Sequence, residues 1–156
     1  FFEDKLMYND AGPVPEEDNF VIPFGDAEVK RAGDDLTIVA TSSMVAVALD
    51  AAEQLATQGL EAEVVDPRTL VPLDKETLLA SVRKTGYAVV IDEGVERFGT
   101  TAELASLLNA EAFDYLDAPV LRIGAANVPI PFSPTLEMPT IPNTEQLVET
   151  VLSQRS

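Results

Sequence analysis

The sequence predicts an α/β fold, in which helices cover both faces of a mostly parallel sheet. Short apolar runs rich in β-branched residues alternate with segments of helical periodicity, which is the pattern of linked βαβ units. The run 36–40 passes through a turn of small residues, 41–43, into a helix with apolar residues three and four apart. The segment 87–92 is apolar up to its final aspartate, as in a strand buried on both faces.

The elements follow in a simple order. We predict strands at 27–31, 36–40, 62–66, 87–92 and 119–124, and helices at 43–58, 74–84, 100–110 and 145–152. Three helices are preceded by side chains able to cap them: Thr41 or Ser42, Asp74 and Thr144. Two glycines are expected to end helices in the left-handed conformation, Gly59 and Gly86. The short turn 32–34 favours a hairpin between the first two strands.

Composition excludes several classes of chemistry. The 156 residues fit one domain, and a hydrophobic content of 46% is ample for one core. The chain has no cysteine and no histidine, which excludes thiolate or imidazole metal sites and serine–histidine catalysis. No apolar run is long enough to predict a membrane span, and no signal peptide is predicted.

The charge is strongly negative, at -17 from 27 acidic and 10 basic residues. Such a surface repels phosphate backbones, so nucleic acid is a poor partner. It suits a basic protein partner, and it also favours solubility without any partner.

The first 26 residues differ in character from the rest. The chain opens on Phe1 and Phe2, and the stretch 10–18 combines glycine, prolines and acids in the manner of a linker. We therefore expect residues 1–26 to consist of the end of a missing preceding domain and a linker. Residues 27–156 are expected to form a second domain.

Candidate functional residues follow the strands, because α/β sheets bind ligands at the carboxyl ends of their strands. The turn 41–43, including Ser42, offers hydroxyls and helix amides that could hold an anion or act as an ordinary cap. Arg68 is a cation beside Asp66 that could bind an anion, or pin neighbouring loops or an interface. Asp92 and Glu93 are adjacent carboxylates that could split their pKa values for acid–base work. We expect them to point apart instead and to pair with Arg97. From the residues alone we predict no catalytic, cofactor-binding or metal-binding residue, and we assign interface or anion contacts to Ser42, Arg68, Glu93 and Arg97.

Six segments carry a family resemblance through their order and spacing: 22–27, 64–74, 81–86, 90–93, 112–120 and 128–137. Together they resemble the C-terminal domain of the beta subunit of thiamine-diphosphate-dependent 2-oxoacid dehydrogenases, a domain type shared with transketolase. That group covers pyruvate, branched-chain 2-oxoacid and acetoin dehydrogenases. The opening residues 1–5 resemble the end of that subunit's pyrimidine-binding domain.

The resemblance implies a three-layer αβα domain with a five-stranded mixed sheet whose first strand is antiparallel to the rest. This would place the first strand elsewhere than in a hairpin, so the strand order stays open. In the family, thiamine diphosphate and magnesium lie between the alpha subunit and the beta subunit's N-terminal domain, so neither cofactor is expected within this chain. The implied location is the bacterial cytoplasm or a compartment like the mitochondrial matrix.

The implied role is assembly. The expected partners are the alpha subunit, a second beta subunit and the subunit-binding domain of the acyltransferase core, while the chain alone is expected to be inactive. Three alternatives stay open: an acetoin dehydrogenase beta subunit, a stand-alone module that binds small anions at 41–43 and Arg68, and a purely structural dimerisation domain.

Overall fold

The computed structural model describes residues 3–154 and contains one five-stranded sheet. Its strands are β1 (Glu28–Arg31), β2 (Leu36–Ala40), β3 (Ala62–Asp66), β4 (Ala88–Val95) and β5 (Leu121–Ala125). The α-helices are α1 (Met44–Ala56), α2 (Lys75–Thr85), α3 (Thr100–Glu111), α4 (Pro134–Glu137) and α5 (Thr144–Gln154). Short 3-10 helices lie at Lys5–Asn9, Phe113–Tyr115 and Met138–Thr140. All the predicted strands and long helices are present at the expected places.

The strand order is β1-β3-β2-β4-β5, and the predicted hairpin between the first two strands is wrong. β2 pairs in parallel with both β3 and β4, so neither of its edges is free for β1. All five residues of β2 are buried, which suits the centre of the sheet, whereas β1 is partly exposed and lies at the edge. β1 pairs antiparallel with β3, as the family resemblance implied.

The core consists of two apolar layers, one on each face of the sheet. Successive residues of a strand point to opposite faces, so Ile38 of β2 packs in the layer beneath α1 and α5. Its neighbour Val39 packs in the layer beneath α2 and α3. This alternation confirms the three-layer α/β architecture.

Some of the helix caps predicted from the sequence are present in the structure, and others are not. Asp74 caps α2 by accepting a hydrogen bond from the Thr77 backbone N–H, and Gly86 ends that helix at φ +72°, both as predicted. The cap of α5 is Asn143 rather than Thr144, because the Asn143 side chain accepts from the backbone of Gln146. The predicted cap of α1 is also wrong: neither hydroxyl of Thr41 or Ser42 bonds the helix amides. Ser43 occupies the N-cap position without a side-chain cap bond.

The N-terminal segment is attached to the domain at two points. The Gly25 N–H donates to Thr69 Oγ1 at 2.9 Å, and the Ala27 N–H donates to Asp74 Oδ2 at 3.0 Å. Residues 10–24 are exposed throughout. The assignment of 1–26 to a preceding domain and a linker stays a prediction, and Phe1 and Phe2 lie outside the described residues.

Asp74 therefore couples the start of the domain to α2, and we expect its loss to be costly. Asp74→Ala should lower the free energy of unfolding at pH 7 by about 1–2 kcal/mol, measured by urea denaturation, because a cap and a tertiary hydrogen bond disappear together. Asp50→Ala, which removes an exposed carboxylate from α1, is the control and should change little.

The same variant gives a pH test. The Thr77 hydroxyl first, and then the backbone N–H groups of Ala27 and Thr77, hold the pKa of Asp74 below its ordinary value of 3.8. A carboxylate with a depressed folded-state pKa stabilises the fold above the unfolded value, and this stabilisation is lost as the pH falls through the folded value. The difference in free energy of unfolding between the wild type and Asp74→Ala should therefore become smaller as the pH falls through the folded-state pKa of Asp74. A difference that grows on acidification would contradict the assignment.

Candidate functional site

The carboxyl edge of the sheet has unusual backbone geometry. Within residues 3–154 three non-glycine residues adopt positive φ, and each follows a parallel strand: Ser42 at 52° after β2, Arg68 at 57° after β3 and Phe98 at 59° after β4. Side-chain clashes disfavour this region for residues other than glycine, so the surrounding contacts must hold these loops in place. Rare conformations of this kind cluster at functional sites, which directs attention to this edge.

A bulge in β4 shapes the centre of that edge. Ile91 pairs with Ile123 of β5, but the next paired residue of β4 is Val95, opposite Ala125, so β4 contains two more residues than β5 over this interval. The Gly94 N–H donates to Asp92 Oδ1 at 2.7 Å within the bulge. Bulges redirect side chains, and this one directs two neighbouring carboxylates to the same turn.

Both carboxylates of the bulge bind the turn between β2 and α1. Thr41 Oγ1 donates to Asp92 Oδ2, and Ser43 Oγ donates to Glu93 Oε2. The expectation that these carboxylates point apart and pair with Arg97 is therefore wrong, since neither forms an ion pair with Arg97 in residues 3–154. Ser42 itself is exposed.

This arrangement changes the prospect of anion binding at the turn. A helix N-terminus attracts negative charge through its dipole and its free N–H groups. Here the chain's own Glu93 places a carboxylate beside the N-cap residue of α1. The turn is thus supplied internally with the charge that an external anion would bring, and the geometry does not favour a second one.

Arg68 pins the edge strand. Its backbone N–H donates to Asp66 Oδ1 at 2.8 Å, and its guanidinium pairs with Glu28 on β1. The Lys30 ammonium and the Arg68 guanidinium together hold the pKa of Glu28 below its ordinary value. Of the two roles considered for Arg68, the contacts support the pinning of neighbouring segments, because its charge is already matched.

Arg97 lies in a different place, in a polar cleft of ≈ 330 Å³ beyond the carboxyl ends of β4 and β5. The cleft also contains Glu96, Asn127, Thr140 and Gln146. Sequence reasoning missed Thr140 and Gln146, because they come from a proline-rich loop and a helix that are distant in sequence from Arg97.

Large apolar side chains are exposed in the loops of the same edge: Leu70, Val71, Phe98, Val128, Ile130 and Phe132. Phe98 and Phe132 are as exposed as in an extended peptide, at 102% and 101%. Several large apolar side chains exposed close together are typical of an interaction surface. Sequence analysis missed this surface as well, although a loop with five prolines that also carries large apolar residues, 125–142, was a signal for it.

Within 3–154 no group of three or more acidic side chains is placed to hold a metal ion. No helix in that range is long and apolar enough to cross a membrane. What the carboxyl edge does offer is apolar contact area, hydrogen-bonding groups and one open polar cleft.

The fold and this edge define a transketolase-type C-terminal domain, and the chain belongs to that family. The family profile for the transketolase C-terminal domain matches residues 25–147. Among solved structures, a split-gene transketolase described as an inactive beta4 tetramer superimposes with a TM-score of 0.71 and 30% identity, covering 90% of this chain and 45% of that one. These findings confirm the family resemblance and the mixed three-layer sheet.

Curated relatives narrow the subfamily. The acetoin:2,6-dichlorophenolindophenol oxidoreductase subunit beta of Bacillus subtilis is 45% identical over 97% of this chain and 44% of its own length. A mitochondrial pyruvate dehydrogenase E1 component subunit beta-1 of Arabidopsis thaliana is 44% identical over 95% of this chain and 42% of its own. The corresponding beta subunit of Rhizobium meliloti is 38% identical over 97% of this chain and 33% of its own. The chain thus spans less than half the length of these relatives.

The hydrogen bond between Thr41 and Asp92 should contribute more to the free energy of unfolding than the neighbouring hydrogen bond between Ser43 and Glu93. In double-mutant cycles by urea denaturation, we expect a coupling energy of about 1–2 kcal/mol for Thr41→Val with Asp92→Ala, because this charged, partly buried bond is shielded from water. The matched cycle of Ser43→Ala with Glu93→Ala should give below about 0.5 kcal/mol, because that pair is exposed. Equal coupling in both cycles would contradict this ranking.

Proposed function

We propose that this chain is the C-terminal domain of the beta subunit of a thiamine-diphosphate-dependent 2-oxoacid dehydrogenase. The observation that carries the proposal is 44% identity, over 95% of this chain, to the beta subunit of a pyruvate dehydrogenase E1 component. On this proposal the domain contributes to subunit assembly and to docking on the acyltransferase core, while catalysis takes place elsewhere in the enzyme.

The proposal divides the chain as the sequence suggested. Residues 1–26 would be the end of a pyrimidine-binding domain plus a linker, and 27–156 the domain itself. Thiamine diphosphate supplies the carbanion-stabilising chemistry of such enzymes when it is bound. The residues described here do not fit it or its magnesium, because the hydroxyls of Thr41 and Ser43 and the charge of Arg68 are already matched by carboxylates. We therefore assign the cofactor site to other parts of the enzyme and derive no step through it.

The surface supports a role in assembly. The exposed apolar side chains of the carboxyl edge can be buried against an alpha subunit or a second beta subunit. The net charge of -17 suits a basic partner such as the subunit-binding domain of an acyltransferase. Relatives of bacterial and mitochondrial origin favour the bacterial cytoplasm or the mitochondrial matrix as the location.

The acetoin-type enzyme is the second candidate, favoured by the 45% identity to the Bacillus subtilis subunit. The two candidates share the domain role and differ in substrate. Assays of the assembled enzyme with pyruvate and with acetoin would separate them. A stand-alone module that binds small anions at 41–43 and Arg68 receives less support. Glu93 already accepts a hydrogen bond from Ser43, and Glu28 already pairs with Arg68.

Assembly is the decisive test. We expect Phe98→Ser or Phe132→Ser in the full-length subunit to weaken its affinity for the co-expressed alpha-type subunit at least tenfold, since burying such a side chain is worth about 1.5–3 kcal/mol. Circular dichroism melts should stay unchanged, because both side chains are fully exposed in the folded chain.

Phe113→Ser is the matched control for those variants. Phe113 is also exposed, at 74%, but it precedes β5 and so lies toward the amino ends of the parallel strands. It should leave the affinity unchanged. Unchanged affinity in all three variants would count against the carboxyl edge as the interface. A stable homo-oligomer with no alpha-type partner would favour the purely structural dimerisation domain.

The isolated chain should lack the enzyme's activity. We expect no thiamine-diphosphate-dependent release of CO2 from pyruvate by residues 1–156, because the groups that hold the cofactor lie elsewhere on this proposal. The assembled enzyme in the same assay is the positive control. Cofactor-dependent CO2 release by the pure chain would refute the division of labour.

A further inference from the structure

We infer that the cleft beyond β4 and β5 is a binding site for a small oxyanion, a carboxylate or a phosphate, with Arg97 as its anchor. The site lies beyond the carboxyl ends of two parallel strands, where α/β domains bind ligands. The inference concerns the polar cleft, whereas the assembly role proposed above depends on the apolar side chains of the neighbouring edge loops.

Arg97 differs from the other cations of the domain in that no carboxylate of the described residues pairs with it. From residue 27 to residue 154, every other lysine and arginine has a carboxylate oxygen within 4.0 Å: Lys30, Arg31, Arg68, Lys75, Arg83, Lys84 and Arg122. Among the described residues Arg97 has none, and neither has Lys5, which lies in the exposed N-terminal segment. Its guanidinium is thus an unmatched positive charge on an otherwise acidic protein.

The other side chains of the cleft leave the charge of Arg97 unopposed. Its one carboxylate, Glu96, is neutralised by Arg122, with Nη2 to Oε1 at 3.6 Å, while Arg122 Nη1 also donates to the Glu96 carbonyl at 3.3 Å. The remaining polar side chains, Asn127, Thr140 and Gln146, are uncharged. The net charge that an entering ligand meets within the cleft is therefore positive.

Backbone hydrogen bonds form the cleft before any ligand arrives. The Glu96 N–H donates to the Ala125 carbonyl at 3.1 Å, and the Ala126 N–H donates to the Thr140 carbonyl at 2.8 Å, which ties three walls together. Gly124 lets the end of β4 approach β5, because a Cβ there would lie 2.7 Å from Glu96 Cα. A preformed site loses less entropy when its ligand binds.

These groups select the class of ligand. The planar guanidinium donates two parallel hydrogen bonds to a carboxylate or a phosphate, and the side-chain amides of Asn127 and Gln146 supply further N–H donors. A cleft of ≈ 330 Å³ accommodates a small metabolite rather than a polymer. Because Arg97 is exposed and screened by water, we expect a dissociation constant on the order of 1 mM.

Nuclear magnetic resonance titration of the full 156-residue chain tests the site. Sodium phosphate and sodium acetate are the two probes, each added at constant ionic strength. We expect saturable shifts of the side-chain amide signals of Asn127 and Gln146 with at least one probe. Tighter binding of phosphate would assign a phosphorylated ligand, and tighter binding of acetate a carboxylic acid.

Two variants with equal charge changes decide whether Arg97 is the anchor. Arg97→Gln should weaken binding at least tenfold, whereas Arg83→Gln should leave it unchanged, since Arg83 pairs with Glu76 and stacks on Tyr115 outside the cleft. The dispersion of the same spectra shows whether each variant is folded. Equal weakening by both variants, or no saturable shift in the wild type, would overturn the inference. Either result would leave the assembly proposal intact, because assembly is measured with a different partner and different variants.

Discussion

The hydrogen bonds between the bulge of β4 and the turn after β2 fix the geometry of the whole carboxyl edge. Thr41 and Ser43 hold Asp92 and Glu93, so the ends of the two central parallel strands are joined by side chains as well as by the sheet. Beyond the bulge β4 pairs with β5 again at Val95. That return sets the position of Glu96 and Arg97 in the polar cleft and of Phe98 on the surface.

Apolar and charged surfaces meet at this edge, and they contribute different free energies to association. Burying a phenylalanine side chain contributes about 1.5–3 kcal/mol, whereas an exposed ion pair contributes about 0–1 kcal/mol. Assembly through this edge would therefore depend mainly on Phe98 and Phe132. The acidic surface as a whole would influence the rate and selectivity of association more than its strength.

The sequence is most informative where burial decides the structure. The runs 36–40 and 87–91 are apolar because both faces of those strands are covered, and this predicted them and the layer architecture. Asp74 and Gly86 were predicted correctly from the local sequence, whereas the caps of α1 and α5 were not, because several neighbouring residues there could cap the helix. The partner of β1 could not be predicted, since a four-residue, partly exposed strand carries no information about its neighbour. The bulge could not be predicted either, because it depends on how β4 contacts β5 at Gly124. Local sequence propensity does not report such a tertiary contact.

Glu93 has a consequence for how such domains diverge. Its carboxylate lies beside the N-cap residue of α1, where the helix dipole favours negative charge. A single codon change that removes this carboxylate would uncover the Ser43 hydroxyl, while the hydrogen bond between Thr41 and Asp92 would still join β2 to the bulge. Descendants of this chain could thus expose a helix N-terminus to solutes through one mutation, with the joint between β2 and β4 retained at Thr41 and Asp92.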